Sequence, residues 1–252
     1  MKKIYCNKLA KVITKAGRIL LENGAETSRV EDTMARICYA YGASVVDSYV
    51  TPTLLILSFS LDNELQHNIK RIQTRNTNLS KVSAVNALSR AIVTNPLDLD
   101  ELSIKLDEID NTTSYRDYEL LFGAAICVFG FAYFFGGNLK DAIVSMVIGL
   151  VTYKLLLSLE GISFTTFFKY SVCGALMTLL AIIAGYFNLC NRDIVIISTI
   201  MLLVPGLAIT NAIKDTVNGD LVSGMARAVE AIFIAVAISL GSGLIFMIVG
   251  WF

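Results

Sequence analysis

The chain has 252 residues, 55% of them hydrophobic, a formal net charge of zero and a mean hydropathy of +0.63. The balanced charge gives no strong case for a nucleic-acid partner, and the hydropathy exceeds that of ordinary globular chains. Polarity is unevenly spread: residues 1–119 hold fifteen of the twenty-one Lys/Arg and fifteen of the twenty-one Asp/Glu, which separates a water-compatible half from a lipid-compatible one near Glu119.

The first predicted element is an amphipathic helix over Asn7 to Glu22. Leu9, Ile13, Ala16 and Leu20 recur at helical spacing against Lys8, Lys11, Lys15, Arg18 and Glu22, and Asn23-Gly24 stops it. Such a basic helix either lies on an anionic membrane surface or packs on its own domain. The lysines also interrupt any apolar stretch that would make the N-terminus a cleaved signal peptide.

A second helix is expected from Ser28, where Ser28-x-x-Glu31 has the spacing of a capping box, with Val30, Met34, Ile37, Cys38 and Tyr41 as its buried stripe and Gly42 as its end. Ser44–Val50, Thr53–Ser60 and Gln66–Thr74 then read as a small antiparallel sheet with turns at Thr51-Pro52 and Asp62-Asn63. Helices over Leu79–Val93 and Asp98–Ile109 follow, the latter burying Leu99, Leu102, Leu106 and Ile109. Residues 1–118 therefore form an α+β domain.

From Glu119 onward five windows approach the length of about 20 apolar residues needed to cross a bilayer core. They are Leu120–Phe135, Ala142–Leu159, Phe164–Phe187, Ile194–Ile213 and Val222–Trp251, joined by short polar separators. The fold class is thus an α-helical polytopic membrane protein of about five transmembrane helices, residues 119–252, carrying an N-terminal α+β cytoplasmic domain. With the N-terminus inside, Lys105, Arg116, Lys154, Lys169, Lys214 and Arg227 fall on the cytoplasmic side. Lys140 and Arg192 fall outside. The bias favours a cytoplasmic N-terminal domain and an outside C-terminus, as expected of an inner-membrane protein.

The densest polar group near a span runs from Pro205 to Glu230. Pro205-Gly206 interrupts the fourth window, as either a broken helix with exposed backbone groups or a simple proline kink. Beyond it stand Asn211, Asp215, Asp220, Arg227 and Glu230. Arg227 and Glu230 are three apart, so they form either a structural pair or a site where a substrate carboxylate competes for the guanidinium. Small residues (Gly123, Gly130, Gly149, Gly174, Gly185, Gly241, Gly243) allow close helix contact. No CxxC spacing, single His67 and no HExxH or GxSxG motif leave the sequence without a metal site, a cofactor site or a catalytic residue, which argues against an intramembrane enzyme. A membrane-anchored regulator or scaffold is the other alternative.

Two stretches resemble a known family. Asn23-Gly24-Ala25-Glu26-Thr27-Ser28-Arg29-Val30-Glu31-Asp32-Thr33 is similar to the opening motif of threonine/serine exporters. Val204-Pro205-Gly206, Thr210-Asn211-Ala212-Ile213, Asp215, Gly219-Asp220, Ser223-Gly224, Arg227 and Glu230-Ala231 resemble the late membrane motif. The resemblance implies proton-driven export of small polar amino acids such as threonine and serine, and in some two-component pairs of succinate. It also implies that this chain is the longer subunit, since the second membrane half of fused members does not follow. Its expected partners are a shorter all-membrane subunit, the lipid bilayer, a small-molecule substrate and further copies in a higher oligomer. It assigns no chemical role to Glu26, Thr27, Ser28, Arg29 or Glu31.

Overall fold

The computed structural model describes residues 2–113, 115–160, 162 and 165–249. The expected ends of two spans, at Phe164 and Trp251, and the C-terminal Phe252 lie outside the described residues. The chain divides into two compact units: Met1–Ser114 with Leu207–Ala228, and Tyr115–Gly206 with Val229–Phe252.

In the first unit, α1 (Lys2–Glu22) is the core helix, with Leu9, Ile13, Ala16, Ile19 and Leu20 fully buried. Three of its basic residues are matched by acids spaced along α4 (Leu99–Asp110). Lys8 meets Asp100, Lys15 meets Asp107 and Arg18 meets Asp110, each at 2.5 Å. This seam supports the reading in which α1 packs on its own unit, with Lys11 exposed beside it. The helix ends where Gly24 adopts φ +92°, a conformation that costs a residue with a Cβ.

Next come α2 (Thr27–Ala40) and the antiparallel meander β1 (Val45–Thr51), β2 (Leu54–Leu61) and β3 (Glu64–Arg71). Asp62 and Asn63 both take positive φ, the geometry that lets a two-residue turn follow the strand twist. The β2 side chains alternate, and Leu55, Leu57, Phe59 and Leu61 face the core formed with α1 and α2. The third strand begins two residues earlier than the sequence pattern suggests and stops at Arg71, because its register is set by Leu61↔Glu64 at that tight turn. The α3 helix (Leu79–Thr94) and α4 complete the core. Asn78 caps α3 at Lys81, and Asp98 caps α4 at Asp100.

The second unit is helical: α5 (Asp117–Phe134), α6 (Leu139–Glu160), α7 (Thr166–Tyr186), α8 (Arg192–Leu203) and most of α10 (Leu221–Val249). Among the described residues, four helices are long and apolar enough to cross a membrane. The number is five if α8 and α9 (Gly206–Val217), broken between Leu203 and Gly206, count as one span. At the break Val204 is extended, as expected before a proline. Phe122, Phe134, Val236 and Leu244 point outward, the pattern of a bundle solvated by lipid rather than water. Glycine contacts are unequal. A Cβ on Gly174 would come within 2.6 Å of the Ile238 carbonyl, and one on Gly241 would strike the Ser171 carbonyl. Gly123, Gly130 and Gly243 face nothing within 4 Å. The α7–α10 crossing is therefore the place where glycine sets the helix distance.

Candidate functional site

The two motifs noted in the sequence lie almost 190 residues apart along the chain, yet within the first unit they meet. The start of α2 leaves backbone N–H groups without intrahelical partners, and Glu26, at the N-cap, gives no side-chain hydrogen bond. Asp215 of α9 supplies the missing acceptor. Its carboxylate accepts from the Thr27 N–H at 3.0 Å and the Thr27 hydroxyl at 3.2 Å. A negative charge is favoured there by the helix dipole.

The expected capping box is thereby corrected. Ser28 accepts a hydrogen bond from the Asn218 amide at 2.9 Å, and Glu31 accepts from the Val50 N–H at 2.9 Å. Both side chains reach other segments because Asp215 already serves the helix end.

Asp215 is fully buried, and burial of a carboxylate requires a counter-charge. Arg227, 7% exposed on α10, provides it with Nε 2.9 Å from Asp215 Oδ2, while its Nη2 donates to the Ala25 carbonyl at 2.9 Å. Asp215 lies on the preceding helix, twelve residues before Arg227 in sequence. Around this pair, Asn211 donates to the Gly24 carbonyl at 3.0 Å, Lys214 pairs with Glu26 at 2.7 Å, and Ser223 donates to the Val50 carbonyl at 3.3 Å. Gly224 permits the closeness of α9 and α10, since a Cβ there would lie 3.0 Å from the Ala212 carbonyl.

Electrostatics sharpen the picture. Burial, with Asp220, Asp32 and Asp215 nearby, pushes the Glu31 carboxyl up to about 7, although the Val50 hydrogen bond acts against it. Asp220 is also raised, by burial and by Asp215.

Of the candidates named from sequence, Asn211, Asp215, Arg227, Glu26, Thr27 and Ser28 converge on this junction, and Glu31 and Asp220 border it. Pro205 and Gly206 form the helix break, Arg29 lies exposed beside Glu26 at 3.7 Å, and Glu230 is half-buried farther along α10, in the segment assigned to the second unit. Sequence reasoning passed over Asp141. It is 2% exposed in the first turn of α6, and its carboxylate accepts from Asn138 N–H at 3.0 Å and Asn191 N–H at 2.6 Å, fastening the starts of α6 and α8. The Asn138-x-x-Asp141 spacing was the available signal. Among the described residues, no group of three His, Cys, Asp or Glu is placed to hold a metal ion.

Long apolar helices joined to a polar unit define a multi-pass membrane protein. The threonine/serine exporter family model matches residues 11–249, and the chain belongs to that family. It is 24% identical over 94% of its length to a probable threonine/serine exporter of Mycobacterium tuberculosis, covering 46% of that protein. It is 25% identical over 91% of its length to the threonine/serine exporter of Corynebacterium glutamicum, covering 49%. The chain thus spans about half the length of these two relatives. A probable succinate transporter subunit of Klebsiella aerogenes is 22% identical over 88% of this chain and 86% of its own. No solved structure gives a significant match. Its named relatives are exporters or transporter subunits.

Proposed function

We propose that this chain is the longer subunit of a two-component inner-membrane exporter of small polar metabolites, either threonine/serine-type amino acids or a dicarboxylate such as succinate. It works with a shorter membrane subunit and is driven by protons. The observation that carries the reading is the junction at Asp215, where the two family motifs become one structure. Similarity along most of a relative named as a transporter subunit supports the two-component form.

The junction also bears on topology. Residues 1–114 and 207–228 share one unit, which supports an even number of bilayer crossings between them. Spans at α5, α6, α7 and α8 meet that condition, with α9 belonging to the first unit after the break, and α10 then makes the fifth. We assign the first unit to the cytoplasm, on the positive-residue bias. An α8 of 12 residues is about 18 Å long, short of a core of about 30 Å. The break at Val204-Pro205 therefore belongs to the membrane path, in the manner of discontinuous transporter helices. Arg227, held by Asp215 and a backbone carbonyl, fixes the end of that path and is not offered as a free receptor for a substrate carboxylate.

The test is export from cells. Cells expressing this chain with a short all-membrane partner should hold less intracellular threonine, serine or succinate than cells expressing either alone. Unchanged pools for all three, with both proteins present in the membrane, would overturn the reading.

A further inference from the structure

A cavity of about 320 Å³ opens between α2 and α3 in the first unit. Its size suits a small metabolite, but its wall is polar. Arg29, Asp32 and Arg36 lie along one face of α2, and Asn86 and Arg90 face them from α3. Three arginines oppose two carboxylates, and one of these, Glu26, is already engaged by Lys214 at 2.7 Å. The wall therefore carries a cationic excess.

Two features show that the wall is held in place. The Arg36 guanidinium donates to Ser89 Oγ at 3.1 Å, and Ser89 is fully buried and itself donates to the Asn86 backbone carbonyl at 2.9 Å. The Asn86 side chain, only 7% exposed, uses its carbonyl to accept from Thr33 at 3.0 Å. Its amide donors line the cavity and have no partner among the described residues. These donors are not sealed from water, so they are available to a ligand acceptor. Arg90, exposed and without a carboxylate partner among the described residues, adds a planar fork suited to two carboxylate oxygens.

We propose that this cavity binds a small metabolite carboxylate through Arg36, Arg90 and the Asn86 amide. Glu26 lines the same cavity and pairs with Lys214 of α9, so occupancy acts on the salt bridge that ties α2 to the helix after the break. The cavity is thus a ligand site within the first unit, distinct from the helix break. The inference rests on the exporter reading only for its choice of probes.

The test is calorimetric titration of the full-length chain in detergent with succinate, threonine and serine, with inorganic phosphate as the anion control. Saturable binding of at least one carboxylate, weakened at least tenfold by Arg90→Gln and only partly restored by Arg90→Lys, is the expected result. Arg90 is exposed, so this variant keeps the fold, which its unfolding temperature checks. No saturable binding by any carboxylate, equal binding in wild type and R90Q, or phosphate binding as tight as the carboxylates would overturn the proposal. Because binding is read without transport, failure here leaves the export reading intact, and absent export leaves a measured site intact.

Discussion

Asp215 and Thr27 are 188 residues apart in sequence and 3.0 Å apart in space, carboxylate oxygen to backbone N–H. One side chain from the late motif completes the helix that carries the early motif, and Arg227 neutralises it there. Removing one member of a buried ion pair strands the other charge, at a cost of about 3–5 kcal/mol. Asp215→Asn and Arg227→Gln should each lower the unfolding temperature of the detergent-solubilised protein markedly. The double variant should lose less than the sum of the two, with a coupling of roughly 1–3 kcal/mol. Strict additivity would mean that the pair does not hold the junction together.

The Lys214–Glu26 pair provides a contrast. Lys214 is half exposed, so its pair with Glu26 belongs to the class worth about 0–1 kcal/mol. Lys214→Ala should leave the unfolding temperature nearly unchanged at moderate salt. A loss as large as that of Arg227→Gln would show that stability is not concentrated in the buried pair.

Glu31 makes the junction sensitive to pH. Its folded-state value near 7 lies above the ordinary 4.5, so the folded protein binds a proton that the unfolded chain has released. Its protonated form is accommodated without penalty below about pH 4.5. That stability is lost as pH rises from 4.5 through 7, and the change levels off above 7. Since the group is only half-buried, solvent screening reduces the effect to the order of 1 kcal/mol. Glu31→Gln keeps an acceptor for Val50 N–H, so it should flatten this slope and match or exceed the wild type in stability at pH 8. A steeper slope in the variant would contradict the burial argument.

Much of the first unit was legible because its hydrophobic spacing repeats cleanly. Leu9, Ile13, Ala16 and Leu20 form the buried face of α1, and Leu99, Leu102 and Leu106 that of α4. The apolar windows and the Val204-Pro205 break were equally plain. The capping of α2 was not, since Ser28-x-x-Glu31 satisfies a local rule that a remote carboxylate displaces. Nor could spacing show that Arg227 reaches back to Asp215, because helical neighbours three apart offer the nearer guess. The Arg36–Ser89–Asn86 arrangement needs α2 beside α3, which no local pattern encodes.

In the membrane unit, α7 and α10 approach through glycine. Gly174→Ala and Gly241→Ala place a methyl against the backbone carbonyls of Ile238 and Ser171, which cannot rotate away. Both variants should accumulate poorly in membranes. Gly243→Ala, with open space around it, should accumulate normally. Equal abundance of all three would place the close contact elsewhere.

Transport itself is the most direct test of the account. The chain and a short all-membrane partner, reconstituted together in liposomes, should release labelled threonine, serine or succinate faster when a proton gradient is imposed. Either protein alone should not. Release at the rate of empty liposomes, with both proteins folded and inserted, would contradict the exporter reading. Full release by this chain alone would contradict its two-component form.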